Sequence, residues 1–333
     1  MDTTTSIDKR WFTVTDPVHG DIACVELGCG EDARRPVCLF LYGGGGSTDS
    51  LLALEPLLAS AWCGGLLPPC RFITATVDPW GFYLDDAARG TAWETFIAER
   101  LPASLALESG TALALLGISM GGYGALKIAL ARPARFAAVA AIAPMIEPTL
   151  DANAARPRNR YHYPSTVPAA LLGPARDAAL YVADHPGQRA IQHADALRRG
   201  PLAIYLDAGT DDALHAHDGA EYLHRLLWQL DIRHEYHLLA GADHVGPSLL
   251  PRLQQAFAWL AQRLSPQRAA LDSGELAWQR FLDGESREMP TYPLPAHSPL
   301  MPRLLRHMLA PLREAAATQD ENFDRVFGPL PLL

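Results

Sequence analysis

The sequence has no excess of basic residues. Its 333 residues carry a formal net charge of −9, which argues against a nucleic-acid-binding face and against an anionic membrane as the main partner. It also lacks any apolar run long enough to cross a bilayer; TALALLGI (111–118) is broken at Gly117. The opening residues MDTTTSIDKRWF lack a basic-then-apolar leader, so a cytoplasmic location is expected. Cysteine is scarce and odd in number: Cys24, Cys29, Cys38, Cys63 and Cys70. None forms a C-x-x-C pair, so neither a disulfide framework nor a zinc site is implied. Free, mostly buried thiols are the default, and nothing in the pattern asks for a metal or an organic cofactor.

What is present is apolar. Hydrophobic residues make up 49% of the chain and charged ones 20%, enough for a sizeable core. The length suits one large α/β domain or such a domain with an appendage. Short apolar runs bounded by turn residues predict strands over 37–42, 72–77, 111–118, 136–144, 202–207 and 235–240. Helical spacing marks 91–105, with Glu94 and Glu99 expected on its wet face. It also marks the stretch up to Pro133, which stops a helix, and then 213–230 and 248–264. Alternating strands and helices predict a mostly parallel central sheet with helices on both faces. In such sheets functional residues sit just beyond the carboxyl ends of strands.

Gly117-Ile118-Ser119-Met120-Gly121 meets that condition. The G-x-S-x-G pattern follows a strand and opens a helix, the setting of a nucleophile elbow. The bland alternative is a tight turn that contains serine. A serine hydroxyl needs a base to take its proton. Of twelve histidines, His244 alone lies in the loop between the last strand and the last helix. His215, His217 and His224 fall on or near an amphipathic helix, where surface positions are expected. His234 and His237 lie in or beside a strand.

The base needs an acid to orient it. Asp207, Asp211 and Asp212 compete in the loop after 202–207. Asp207 closes the strand, where a carboxylate can simply hold the turn. Asp211 and Asp212 reach further sideways, and Asp212 ranks first. The order Ser, Asp, His is the one this fold uses. The glycine-rich loop LYGGGGSTDS follows the first strand of the run. It suits an oxyanion hole made of the N–H groups of Gly44 and Met120. A flexible loop is the plain alternative; a phosphate loop fits poorly, since no Gly-Lys-Ser/Thr follows.

Several of these stretches together resemble the esterase D family of α/β hydrolases. That family includes S-formylglutathione hydrolases and is related to feruloyl and enterochelin esterases. GISMGGYGALKIALARPARFAAVAAIAPMIEP is similar to its elbow, helix and following strand, and WGFYLDDA (80–87) to its Gly-Phe-Tyr segment. LDAGTDDALH and GADHVG are similar to its acid and histidine loops. The resemblance covers about residues 10–265. It implies an α/β-hydrolase fold and makes the second of the adjacent aspartates, Asp212, the catalytic acid. It also implies that Tyr83 and Asp85 are structural. The oxyanion loop lacks the cysteine of the formylglutathione hydrolases, so a glutathione thioester substrate is not implied.

The expected organisation is a hydrolase domain over 1–268, with an insertion at about 155–200 shaping the pocket, and a Pro-rich and helical extension over 269–333. Trp80, Tyr161, His162 and Tyr163 are candidates for the pocket wall, or for aromatic packing on the core. The extension ends in FGPLPLL. It is expected to pack on the domain, or to form a lid or a contact between two copies of the chain. The resulting reading is a serine carboxylesterase acting on a small-molecule ester. The rivals are an acyltransferase using the same acyl-enzyme and a non-catalytic binding protein on the same scaffold.

Overall fold

The computed structural model describes residues 7–151, 154, 178–264, 276–290 and scattered positions from 298 to 310. Its centre is an eight-stranded sheet in the order β1-β2-β4-β3-β5-β6-β7-β8. The strands are β1 (Ile7–Asp16), β2 (Gly20–Cys29), β3 (Val37–Leu41), β4 (Arg71–Ala75), β5 (Leu113–Ile118), β6 (Ala138–Ile142), β7 (Ala203–Gly209) and β8 (Glu235–Leu239). From β4 to β8 every pairing is parallel, while β2 runs antiparallel to β1 and β4. This is the α/β-hydrolase architecture that the sequence led us to expect.

The inner strands β3, β5, β6 and β7 are buried along their whole length. Helices cover both faces of a parallel sheet, so such strands are written as unbroken apolar runs. The antiparallel pair β1–β2 was not expected. Its outer strand IDKRWFTVTD is mostly exposed and polar, so it carries no apolar run to betray it.

Register places the functional loops side by side. Leu41 pairs with Gly117, Ile118 with Ile142, and Ile142 with Asp207. The chain therefore leaves β3, β5, β6 and β7 along one edge of the sheet, where loops converge. The helix Met120–Ala131 packs its small residues against the sheet and is buried almost throughout. Helices Ala216–Gln229 and Leu249–Leu264 are amphipathic, as predicted, and turn Leu223, Leu227, Phe257 and Leu260 inward.

One expectation is overturned. The segment 91–105 is helical as Trp93–Thr95, a π-turn at Phe96–Arg100, and Leu101–Ser104, but Glu94 is buried. Its carboxylate takes Lys127 Nζ at 2.8 Å and Arg132 Nη1 at 2.6 Å. A charge is tolerated inside only when paired, and the partners sit on another helix and just past its end, where local spacing cannot reveal them. Glu99 remains exposed.

Part of the insertion is described as the short helices Ala178–Asp184, Pro186–Gln192 and Ala194–Arg199. The Tyr123 hydroxyl donates to the Asp184 carbonyl at 3.0 Å, tying this region to the helix that follows Ser119. Tyr161, His162 and Tyr163 lie outside the described residues, as does the FGPLPLL tail. In the extension, Trp278, Leu300 and Leu304 form a small apolar cluster. Arg303 links it to Asp283 at 2.8 Å and to Asp231 at 3.7 Å. No helix among the described residues is long and apolar enough to cross a membrane.

Candidate active site

Ser119 stands between β5 and the helix Met120–Ala131 with φ 57° and ψ −118°. A non-glycine residue held there is strained, and such strain persists only where the surroundings enforce it. Backbone contacts supply the enforcement. The Ser119 N–H donates to Ile142 at 2.8 Å, and its carbonyl accepts from Tyr123 and Met145 at 3.0 and 3.1 Å. The flanking glycines are sterically required. A Cβ on Gly117 would lie 2.1 Å from the Gly121 carbonyl oxygen, and one on Gly121 would lie 1.9 Å from that of Leu41.

His244 arrives from the loop between β8 and the last helix. Its Nε2 lies 2.9 Å from Ser119 Oγ and its Nδ1 2.6 Å from Asp212 Oδ2. An ionised Asp212 can only accept, so Nδ1 carries the proton and Nε2 is left to accept from the serine. Asp212 is buried, and its Oδ1 accepts the Leu214 N–H at 2.8 Å. Burial alone would raise this carboxyl's pKa. The hydrogen bond and charge of His244, with the N–H groups of Leu214 and Ala216, outweigh burial and hold it below the usual value.

The other two aspartates go elsewhere. Asp211 is exposed and accepts the Thr210 hydroxyl at 3.0 Å. Asp207 is fully buried against Arg252, whose Nη2 lies 2.6 Å from Asp207 Oδ1. Among the described residues, none of the other histidines named from the sequence bonds Ser119. His215, His217 and His224 are half-buried rather than on the open surface, and His234 is buried.

The glycine loop after β3 is held by Gly45 N–H to the Pro79 carbonyl at 2.8 Å and Gly46 N–H to that of Gly43 at 3.0 Å. Neither the Gly44 nor the Met120 N–H donates to an acceptor among the described residues. Met120 opens its helix, where no carbonyl one turn back is available. Tyr83 lies beneath, its hydroxyl donating to the Tyr42 carbonyl at 3.0 Å. Asp85 accepts from the backbone N–H and the hydroxyl of Thr95. Both residues hold local structure.

Above Ser119 opens a cavity of about 530 Å³. Phe40, Leu54, Ile118, Met145 and Leu249 give it an apolar wall, and Trp80 stands at its margin, 41% exposed. The indole rests on the glycine loop; a Cβ on Gly44 would meet its Cζ3 at 2.6 Å. No Asp, Glu, Lys or Arg lines the cavity among the described residues. None of the described residues between 155 and 200 lines it either. Among the described residues no group of three or more His, Cys, Asp or Glu side chains could hold a metal ion.

Sequence reasoning missed Arg252. A signal was present: Arg252 shares one face of its helix with Ala256 and Leu260, and all three are buried. A charge on an apolar stripe implies a buried partner.

The fold has many relatives of known structure. A ferulic acid esterase superposes with a TM-score of 0.62 at 17% identity, over 78% of this chain and 100% of the other. An S-formylglutathione hydrolase from Agrobacterium tumefaciens gives 0.61 at 17% identity, over 79% and 98%. The Staphylococcus aureus fluorophosphonate-binding serine hydrolase FphF gives 0.61 at 15% identity, over 78% and 99%. At these identities the similarity establishes the fold. No curated protein matches the chain by sequence. The family model described as "Putative esterase" matches residues 80–252, just over half of the sequence, and the chain belongs to that family of carboxylic ester hydrolases.

Proposed function

We propose that the chain is a serine carboxylesterase working through an acyl-enzyme. Ser119 Oγ attacks the ester carbonyl carbon while His244 Nε2 takes its proton. Asp212 fixes the imidazole tautomer and offsets the charge that the ring gains. The N–H groups of Gly44 and Met120 donate to the developing oxyanion. His244 then returns the proton to the leaving alcohol. A water molecule, deprotonated by His244, attacks the acyl-serine and releases the acid. The observation that carries this reading is the unbroken relay Ser119–His244–Asp212, at 2.9 and 2.6 Å, set at the floor of an apolar cavity.

The cavity also bears on substrate. A charged acyl or alcohol group would lose hydration there with no ionic partner among the described residues. An uncharged, largely apolar ester fits instead. The test is hydrolysis of p-nitrophenyl esters from acetate to dodecanoate by wild type and by Ser119→Ala, with and without a competing alcohol. Activity confined to wild type supports the mechanism, and equal activity in the variant refutes it. Product diverted to the alcohol would make the chain an acyltransferase.

A further inference from the structure

The pair Asp207–Arg252 lies beneath the relay and meets it only through the His244 backbone. Arg252 is 1% exposed and Asp207 is fully buried. One edge of the guanidinium, Nε and Nη2, donates to Asp207 Oδ1 at 3.2 and 2.6 Å. The other edge, Nη1, donates to the carbonyl oxygens of Asp243 and His244 at 2.7 and 3.1 Å. Asp207 in turn accepts the Ala143 N–H, through its carbonyl at 2.9 Å and Oδ1 at 3.3 Å. Ala143 is held at φ 45°, two residues before Met145, whose N–H is bonded to the Ser119 carbonyl.

We propose that Arg252, locked by Asp207, is a positioning residue that holds the His244 backbone in register with the nucleophile elbow; the proposal rests on the reading of His244 as the base. The imidazole must meet Ser119 on one side and Asp212 on the other, so a shift of its backbone spoils both contacts. Misplacement by about 1 Å can cost on the order of 10²-fold in rate. A buried ion pair is a poor stabiliser compared with apolar side chains of the same volume. Apolar side chains, however, would offer no donor to the Asp243 and His244 carbonyls. Arginine satisfies both, because its planar fork serves two sides at once.

The test compares R252M, R252K and the double variant D207N/R252M. R252M leaves a buried carboxylate unpaired and should lower the melting temperature most. The double variant removes both charges and should regain much of that loss. If Arg252 positions the base, kcat of the double variant for a p-nitrophenyl ester stays at least about tenfold below wild type with KM little changed. The low-field proton resonance expected of His244 Nδ1–H in wild type should weaken or move. R252K can serve only one side and should give an intermediate kcat. A double variant or an R252K with wild-type kcat and an unmoved resonance would overturn the proposal and leave the pair a purely structural one. The two readings fail separately: wild type that hydrolyses no ester sinks the esterase mechanism, while the resonance still reports whether Arg252 holds His244.

Discussion

Asp212 divides its two oxygens between His244 and its own loop: Oδ2 meets His244 Nδ1 at 2.6 Å and Oδ1 accepts the Leu214 N–H at 2.8 Å. The second bond fixes the carboxylate plane that orients the first. Asp212→Asn keeps the shape but presents an amide, which favours the wrong imidazole tautomer. We expect kcat to fall by about 10³- to 10⁴-fold with KM little altered. Asp211→Asn, at an exposed side chain that faces Thr210, should leave kcat within about twofold. Steady-state kinetics on one ester would separate the two, and a larger loss in Asp211→Asn would reassign the acid.

The backbone of Ser119 makes a second prediction. Held at φ 57°, a side-chain-bearing residue carries about 1–3 kcal/mol of strain. Glycine relieves that strain but loses more chain entropy on folding, by about 0.5–1 kcal/mol. Ser119→Gly should therefore melt about 1–3 °C above Ser119→Ala, with both inactive. Differential scanning calorimetry on the pair would check this. A lower melting point for the glycine variant would mean that the elbow is unstrained.

Most of the site could be read from local patterns. Ser119 and His244 announce themselves because each follows a strand, and parallel strands are written as apolar runs that end at turn residues. Asp212 needed the adjacent pair in its loop. What stayed hidden depends on partners distant in sequence. Glu94 looked like a wet-face residue until Lys127 and Arg132 came to it from the helix after Ser119 and the residue just past its end. Arg252 went unread because its partner Asp207 lies 45 residues earlier and shares its burial only in the fold. The β1–β2 hairpin escaped for the opposite reason: its edge strand faces water, so alternation was weak. Buried polar pairs and exposed edges are the features that one-dimensional hydrophobic patterns describe least well.

Trp80 is the side chain through which substrate size should be adjustable. Its ring backs Gly44 and Gly45 at the cavity margin. Trp80→Ala removes that wall and also frees the glycine loop. Acetate ester turnover should fall, since the loop loses its support. The ratio of kcat/KM for dodecanoate to that for acetate should rise by about 3- to 10-fold, a change of about 0.6–1.4 kcal/mol, on the order of one further methylene accommodated. Trp80→Phe should fall between. A ratio unchanged in Trp80→Ala would place the acyl chain on another wall.

Stability should weaken in mild acid, and two buried histidines say where. His185 meets the Glu147 carbonyl through Nε2 at 2.8 Å and accepts the Gly187 N–H at Nδ1 at 3.0 Å. His234 meets the Ile232 carbonyl through Nδ1 at 2.8 Å and faces His224 Nδ1 across Nε2 at 2.8 Å. Each ring thus has one donor and one acceptor role, which only the neutral form can fill. Burial pushes both down from 6.5 to about 4. In the unfolded chain they take up protons near pH 6.5; in the folded protein they resist until about pH 4. The unfolded state therefore binds more protons across that window, and folding stability falls as pH drops through it. Each contributes up to about 3 kcal/mol, present above pH 6.5 and lost by about pH 4. Urea unfolding at pH 7, 6 and 5 should show a declining free energy. His185→Asn keeps an oxygen for the Gly187 N–H. It should lower stability at pH 7 yet flatten the slope between pH 6.5 and 5, whereas a slope equal to wild type would show that His185 does not resist protonation.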